Sequence, residues 1–144
     1  MNTQNRSRLE RDLLNLSRAF PLQVDDGYAF VLVSGLKLPP GYNRPSTDML
    51  LELPADYPIC PPGVGGSYVY LPPALRFHGR RLDDLHEDHL PTFYPAKVGS
   101  WAWFCYEYVA WSPHRDDLIK FVEMVRADLT KPKTCWELPW GVRL

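Results

Sequence analysis

The chain has 144 residues, enough for one domain whose core closes without disulfides. Apolar residues make up 45% and charged residues 23%, and a net charge of −1 supplies no general field to attract nucleic acid or an acidic membrane. Three cysteines without CxxC spacing, a polar start (Met1 to Arg6) and no run of about 18 apolar residues predict a cytoplasmic chain with reduced thiols and no membrane span or Cys-based zinc site.

Ser7-Arg8-Leu9-Glu10 has the form of a capping box, so a helix is expected to open there, with Leu9, Leu13, Leu16 and Phe20 as its apolar face and Pro21 as its end. Asp25-Asp26-Gly27 predicts a turn, Tyr28 to Val33 a strand, and Leu38 to Tyr42 a rigid loop. Asp48 to Leu53 is a second strand, with Met49, Leu51 and Leu53 on one face. Pro54 to Pro62 holds four prolines in nine residues, which excludes regular structure and predicts an extended crossing segment. Ser67 to Leu71 reads as a third strand, and residues 74–100 as a long irregular loop with at most a helical turn. Ser112-Pro113 is expected to open the last helix, Ser as N-cap and Pro at the first helical position, with Asp116 and Asp117 in its first turn. Leu118, Ile119, Val122, Val125 and Leu129 are its buried stripe, and Pro132 stops it. Trp136 and Trp140 in the tail are expected to dock on the body or to meet a partner. The layout is α+β: one domain over 1–144, with a core of about 7–131 and a tail from 132.

The order of these pieces resembles the ubiquitin-conjugating-enzyme fold: N-terminal helix, short antiparallel meander, long active-site loop, C-terminal helix. The likeness rests on Tyr57-Pro58-Ile59-Cys60-Pro61-Pro62, on Trp111-Ser112-Pro113, and on Cys105 six residues before Trp111, and it covers roughly residues 8–131. Leu38 to Tyr42, Leu50 to Pro54 and the Trp-rich stretch Trp101 to Cys105 resemble a bacterial branch of that superfamily, whose genes stand beside a ubiquitin-like modifier, an activating enzyme and a deconjugating peptidase. The resemblance implies that the partners are an activating-enzyme-like protein, a ubiquitin-like modifier and a protein target, and it makes antiphage defence a setting to test. One departure stands out. The His-Pro-Asn that precedes the cysteine in familiar eukaryotic members is absent, and Phe77-His78-Gly79 is the nearest counterpart by position.

By the same resemblance Cys105 is the acyl-accepting thiol. A thiolate is nucleophilic near neutral pH and its thioester stays reactive, so the chemistry needs no metal or organic cofactor. Trp103 and Tyr106 are candidate supporting residues beside Cys105; its aromatic neighbours suit a buried structural thiol equally well, and the resemblance is what favours the reactive role. His78 is a candidate to orient a reacting group in place of the missing Asn, against a plain loop histidine. Glu107 is a candidate base for an incoming amine, against a surface carboxylate. His86 and His89 form at best a two-ligand metal half-site, and a solvated polar loop is the simpler account. Cys60 is expected to pack and Cys135 to be a bystander. Arg6, Arg8, Arg11 and Arg18 lie on the first helix, which in the superfamily meets the activating enzyme; Arg8 and Arg11 are the partner-binding candidates, against a solvated basic face. The alternatives to an active acyl carrier are an inactive binding module of the same fold and an unrelated cysteine hydrolase.

Overall fold

Leucines at helical spacing are what the first helix buries. In the computed structural model, which describes residues 2–64, 67–87, 100–106 and 110–135, helix α1 runs Thr3–Ser17 with Leu9, Leu13 and Leu16 in the core. It starts four residues before the expected capping box. Asn2 is the N-cap, its side chain accepting the Asn5 amide at 2.8 Å. Asn caps as well as Ser, and the intervening residues are polar, so no apolar periodicity announces the first turn. Ser7 lies inside the helix, and Glu10 pairs with Arg6 at 3.1 Å.

The strands are β1 (Leu22–Val24), β2 (Phe30–Lys37), β3 (Ser46–Glu52), β4 (Val69–Leu71), β5 (Arg76–Phe77), β6 (Arg80–Leu82), β7 (Leu85–His86), β8 (Ala102–Phe104) and β9 (Thr134–Cys135). A six-stranded antiparallel sheet has the order β1-β2-β3-β4-β8-β7, and a smaller one the order β5-β6-β9. The meander is the expected one, with an unforeseen edge strand β1. Strand β2 continues past Ser34-Gly35 through a register shift between Val33 and Leu36.

Period-2 alternation sorts the large sheet's side chains. Val31, Val33, Met49, Leu51, Val69, Leu71, Ala102 and Phe104 face the two helices in the main core. Leu32, Leu50, Tyr70 and Trp101 cluster on the other face with Phe30, Tyr68 and Trp103 around them. Helix α2, Leu118–Asp128, closes the main core with Leu118, Phe121, Val122 and Val125, followed by Leu129 at its C-cap. Each such side chain contributes roughly 1.5–3 kcal/mol when fully buried.

Two expectations are corrected here. Ser112-Pro113 does not open α2; residues 112–115 form a separate turn, and Asp117 is the N-cap, accepting the Lys120 amide at 2.9 Å. Asp116 closes the preceding turn, its carboxylate accepting the Ser112 amide at 2.6 Å and the Lys120 ammonium at 2.6 Å. Both aspartates therefore precede the first turn, Asp117 at the N-cap and Asp116 one residue before it. The helix also ends at Asp128, ahead of Pro132.

The second correction is the loop from residue 74. Its described part carries β5, β6 and β7. The turn between β5 and β6 is His78-Gly79, with φ of 50° and 75°, the left-handed backbone that a two-residue hairpin requires. Strand β6 pairs with β9 and β7 with β8. Strands of two or three residues are too short for an alternation to show, and apart from the β5–β6 hairpin their partners lie far along the chain. Residues 88–99 lie outside the described residues, as do Trp136 and Trp140.

Glu87 fastens this region. Its carboxylate accepts from Arg76 at 2.6 Å and from the Ala74 amide at 2.9 Å, with Arg81 at 3.7 Å. Burial alone would raise its pKa, but the Arg76 hydrogen bond, the Ala74 amide and the two guanidinium charges outweigh it and hold the group below the usual glutamate range. A depressed carboxylate contributes stability that is present above its unfolded pKa of about 4.3 and is lost as pH falls through the lower folded value. Glu87→Gln is expected to lower neutral-pH stability by about 1 kcal/mol and to flatten the urea midpoint's dependence on pH below about pH 5. Equal acid sensitivity of the variant and the parent in urea titrations would contradict this.

Candidate functional site

The two proline-containing motifs meet in space. The indole N–H of Trp111 donates to the Pro58 carbonyl at 2.7 Å, and the Trp111 and Tyr57 rings lie 6.0 Å apart. Tyr57 is fully buried, and its hydroxyl donates to the carboxylate of Asp12 on α1. Asp12, 1% exposed, also accepts from Arg8 at 3.0 Å and lies 3.4 Å from Arg11. Arg8 spans onward, donating to the carbonyls of Pro113 (2.6 Å) and Asp116. One hydrogen-bonded network thus joins α1, the crossing segment and the turn before α2. The motifs from which the likeness was drawn build the platform.

Cys105 is the first residue beyond β8. Its amide donates to the Asp84 carbonyl at 2.8 Å, which extends the β7–β8 pairing and fixes the backbone at the thiol. The other side is fixed by Gly63, at the end of the crossing segment. Gly63 has φ of 89°, and a Cβ there would stand 2.4 Å from the Tyr106 carbonyl oxygen. Only a hydrogen at that position lets the crossing segment touch the backbone next to Cys105. Gly63→Ala is expected to cost about 2–4 kcal/mol, from left-handed strain and from displacement of Tyr106. A thermal midpoint unchanged from the parent would refute the contact.

Tyr106 anchors the same point from below. Its ring packs on Phe104 and Phe121, and its hydroxyl is hydrogen-bonded to Asp128. Burial first, and then the Asp128 carboxylate, push its pKa upward, so it stays a neutral donor. Cys105 is half-buried and lies on a cleft of about 450 Å³ between Asp84, Phe104, Tyr106, Asp128 and the segment Lys131–Lys133. The thiol is outside any disulfide, as are Cys60 and Cys135.

The other candidate residues disperse. His78 sits at the exposed tip of the β5–β6 hairpin, its ring against Phe77 and over Gly41, and among the described residues it does not line the Cys105 cleft. Trp103 lies on the sheet face away from the helices, against Tyr68 and His86. Glu107 and His89 lie outside the described residues. His114 is exposed on the turn before α2, not in the helix's first turn. Arg8 is committed inside the fold, with 17% of its side chain exposed, whereas Arg11 points outward with 63% exposed. Cys60 is half-buried, its thiol pKa raised first by a hydrogen bond with Asp56. Cys135 lies on β9 with its sulfur 4.0 Å from the Arg81 carbonyl. The cleft residues Asp84, Asp128, Lys131 and Lys133 carry no sequence motif, and the glycine after Pro61-Pro62 is the one local signal that marks Gly63.

No helix among the described residues is long and apolar enough to cross a membrane. No curated protein and no solved structure matches the chain. The model of a family described as Prokaryotic E2 family E matches residues 10–132, most of the chain and all of both helices' buried stripes except the first leucine. E2 denotes the conjugating-enzyme class, so the helix, antiparallel meander, crossing segment and closing helix seen here have the expected α+β architecture. The chain belongs to this prokaryotic E2 family and shares its general conjugating-enzyme type.

Proposed function

We propose that this chain is an acyl carrier for a bacterial ubiquitin-like modifier, with Cys105 as the carrier. The thiolate attacks the modifier's C-terminal thioester on an activating enzyme, the new C–S bond forms as the old one breaks, and the activating enzyme's thiolate leaves. A nucleophile on a protein target then displaces Cys105 in the same way. Both substrates are macromolecules, so the reaction wants a thiol on a rigid platform beside an open surface. The observation that carries the reading is the placement of Cys105: held by the Asp84 carbonyl on one side, backed by the Gly63–Tyr106 contact on the other, and open to a cleft.

The Cys105 amide is donated to Asp84, so in this arrangement it does not serve an oxyanion. His78, away from the cleft, does not replace the absent Asn either. These two facts favour a second reading, an inactive module that binds the activating enzyme or modifier. The two readings separate in one experiment. The protein is incubated with a ubiquitin-like modifier, its activating enzyme and ATP, then run on a non-reducing gel. An acyl carrier gives a thiol-reversible adduct; a binding module gives complex formation with no adduct.

A further inference from the structure

We infer that Lys131 and Lys133 are self-modification sites, where the acyl group held on Cys105 passes to an amine of the same molecule. This rests on Cys105 as the acyl carrier. Both lysines line the cleft that Cys105 lines, and both are exposed. The chain has five lysines. Lys120 is ion-paired with Asp116 at 2.6 Å and lines a different hollow. Lys37 ends β2, paired with Ser46 at the far end of the sheet. Lys97 lies outside the described residues. Among the described residues Lys131 and Lys133 form no ion pair, so their ammonium groups are not held away from the cleft.

The backbone that carries them is pinned at both ends. Leu129 is fully buried, the Asp83 amide donates to the Lys133 carbonyl at 2.8 Å, and Thr134–Cys135 pairs with β6. The two lysines are separated by Pro132, a spacing that in an extended segment places both on one side. A fixed backbone with two flexible side chains beside the thiol makes the transfer intramolecular, with an effective amine concentration of at least the order of millimolar.

The step balances without a further reactant. A deprotonated Lys131 or Lys133 amine attacks the thioester carbonyl, the C–N bond forms, the C–S bond breaks, and Cys105 leaves as thiolate. The proton lost from nitrogen goes to the thiolate or to solvent, with the Asp84 and Asp128 carboxylates in the same cleft as relays.

The test uses the full chain and a small probe, the 2-mercaptoethanesulfonate thioester of N-acetyl-Gly-Gly. It acylates thiols by exchange without an activating enzyme. Adducts are mapped by peptide mass spectrometry before and after thiol treatment. The expected result is a thiol-reversible acyl group on Cys105 that converts to a thiol-stable amide on Lys131 or Lys133. The conversion should be at least tenfold faster than labelling of Lys37 or Lys120, with a first-order rate constant that does not change over a tenfold range of protein concentration. Cys105→Ala should abolish the excess at these two lysines, and Lys131→Arg/Lys133→Arg should leave the acyl group on Cys105. A Cys105 thioester that ends in hydrolysis, or in even labelling of all lysines, overturns self-modification and leaves the acyl carrier standing. Labelling of Lys131 and Lys133 that persists in Cys105→Ala overturns the relay through sulfur. Absence of any thiol-reversible adduct on Cys105 sinks both.

Discussion

Cys105→Ala is expected to remove the thiol-reversible modifier adduct completely, a loss on the order of a thousandfold or more in acyl-transfer rate, while leaving the fold intact. Two structural facts separate these outcomes. A tie of the residue to its neighbours runs through the backbone, Cys105 amide to Asp84 carbonyl, and alanine keeps that bond. The side chain is only half-buried, so deleting its sulfur costs less than about 1 kcal/mol. The thermal midpoint should therefore move by a few degrees at most. Cys105→Ser discriminates further. A serine hydroxyl is almost wholly protonated near neutral pH, so any adduct forms slowly and is an ester that survives thiol. Cys60 and Cys135 are the internal controls, since replacing either by Ala should leave the adduct in place. Persistence of the adduct in Cys105→Ala, at a comparable rate, would move the chemistry to another residue.

Asp12→Ala carries the largest expected effect on stability. The carboxylate is 1% exposed and satisfies the Tyr57 hydroxyl and the Arg8 guanidinium at once. Removing one member of a buried ionic network leaves its partners desolvated and unpaired, at about 3–5 kcal/mol. That is a large share of the roughly 5–15 kcal/mol by which a domain of this kind is stable. The damage should also travel. Tyr57 positions the crossing segment that ends at Gly63 beneath Tyr106, and Arg8 holds the Ser112–Asp116 turn through two carbonyls. Asp12→Asn keeps an acceptor oxygen and should cost about half as much. Urea denaturation gives both numbers, and a loss below about 1 kcal/mol in Asp12→Ala would show that the network is not what joins α1 to the platform.

Asp12 also shows what a pattern of residues conceals. It lies among Leu9, Leu13 and Leu16 on the buried face of α1, yet a single aspartate in a polar, arginine-rich helix looks like solvent-facing charge. Its partner Tyr57 is 45 residues away, and nothing local announces the pairing. The same holds for Arg8, which as a sequence feature belongs to a basic helix face and in the fold is an internal strut. The meeting of Trp111 with Pro58 follows the same logic: each motif was visible, but the reason for both was their contact.

Local patterns were legible where one element alone had to choose its buried side. The leucines of α1, the stripe of α2 and the alternation of β3 each encode a conformation within a few residues, because period acts locally. The proline density of 54–62 excluded helix and strand there, but the segment folds into turns, Tyr57 amide to Pro54 carbonyl and Ile59 amide to Asp56 carbonyl, where an extended run is expected. These sufficed for an α+β layout and, through the motifs, for the family. Helix starts were missed because several residues near each start can cap, and packing chooses among them: Asn2 over Ser7, Asp117 over Ser112. Strands β5, β6, β7 and β9 were invisible because two or three residues carry no period, and outside the local β5–β6 hairpin their pairing is with partners across the chain. Cys105 stood out in the sequence by its distance from Trp111. Tertiary structure alone decided what surrounds it: the Asp84 carbonyl, the Gly63 contact, and a cleft walled by Asp128, Lys131 and Lys133. These groups come from three separate stretches of chain, around residues 63, 84 and 128–133, and only the closure of the helices and the two sheets brings them to one sulfur.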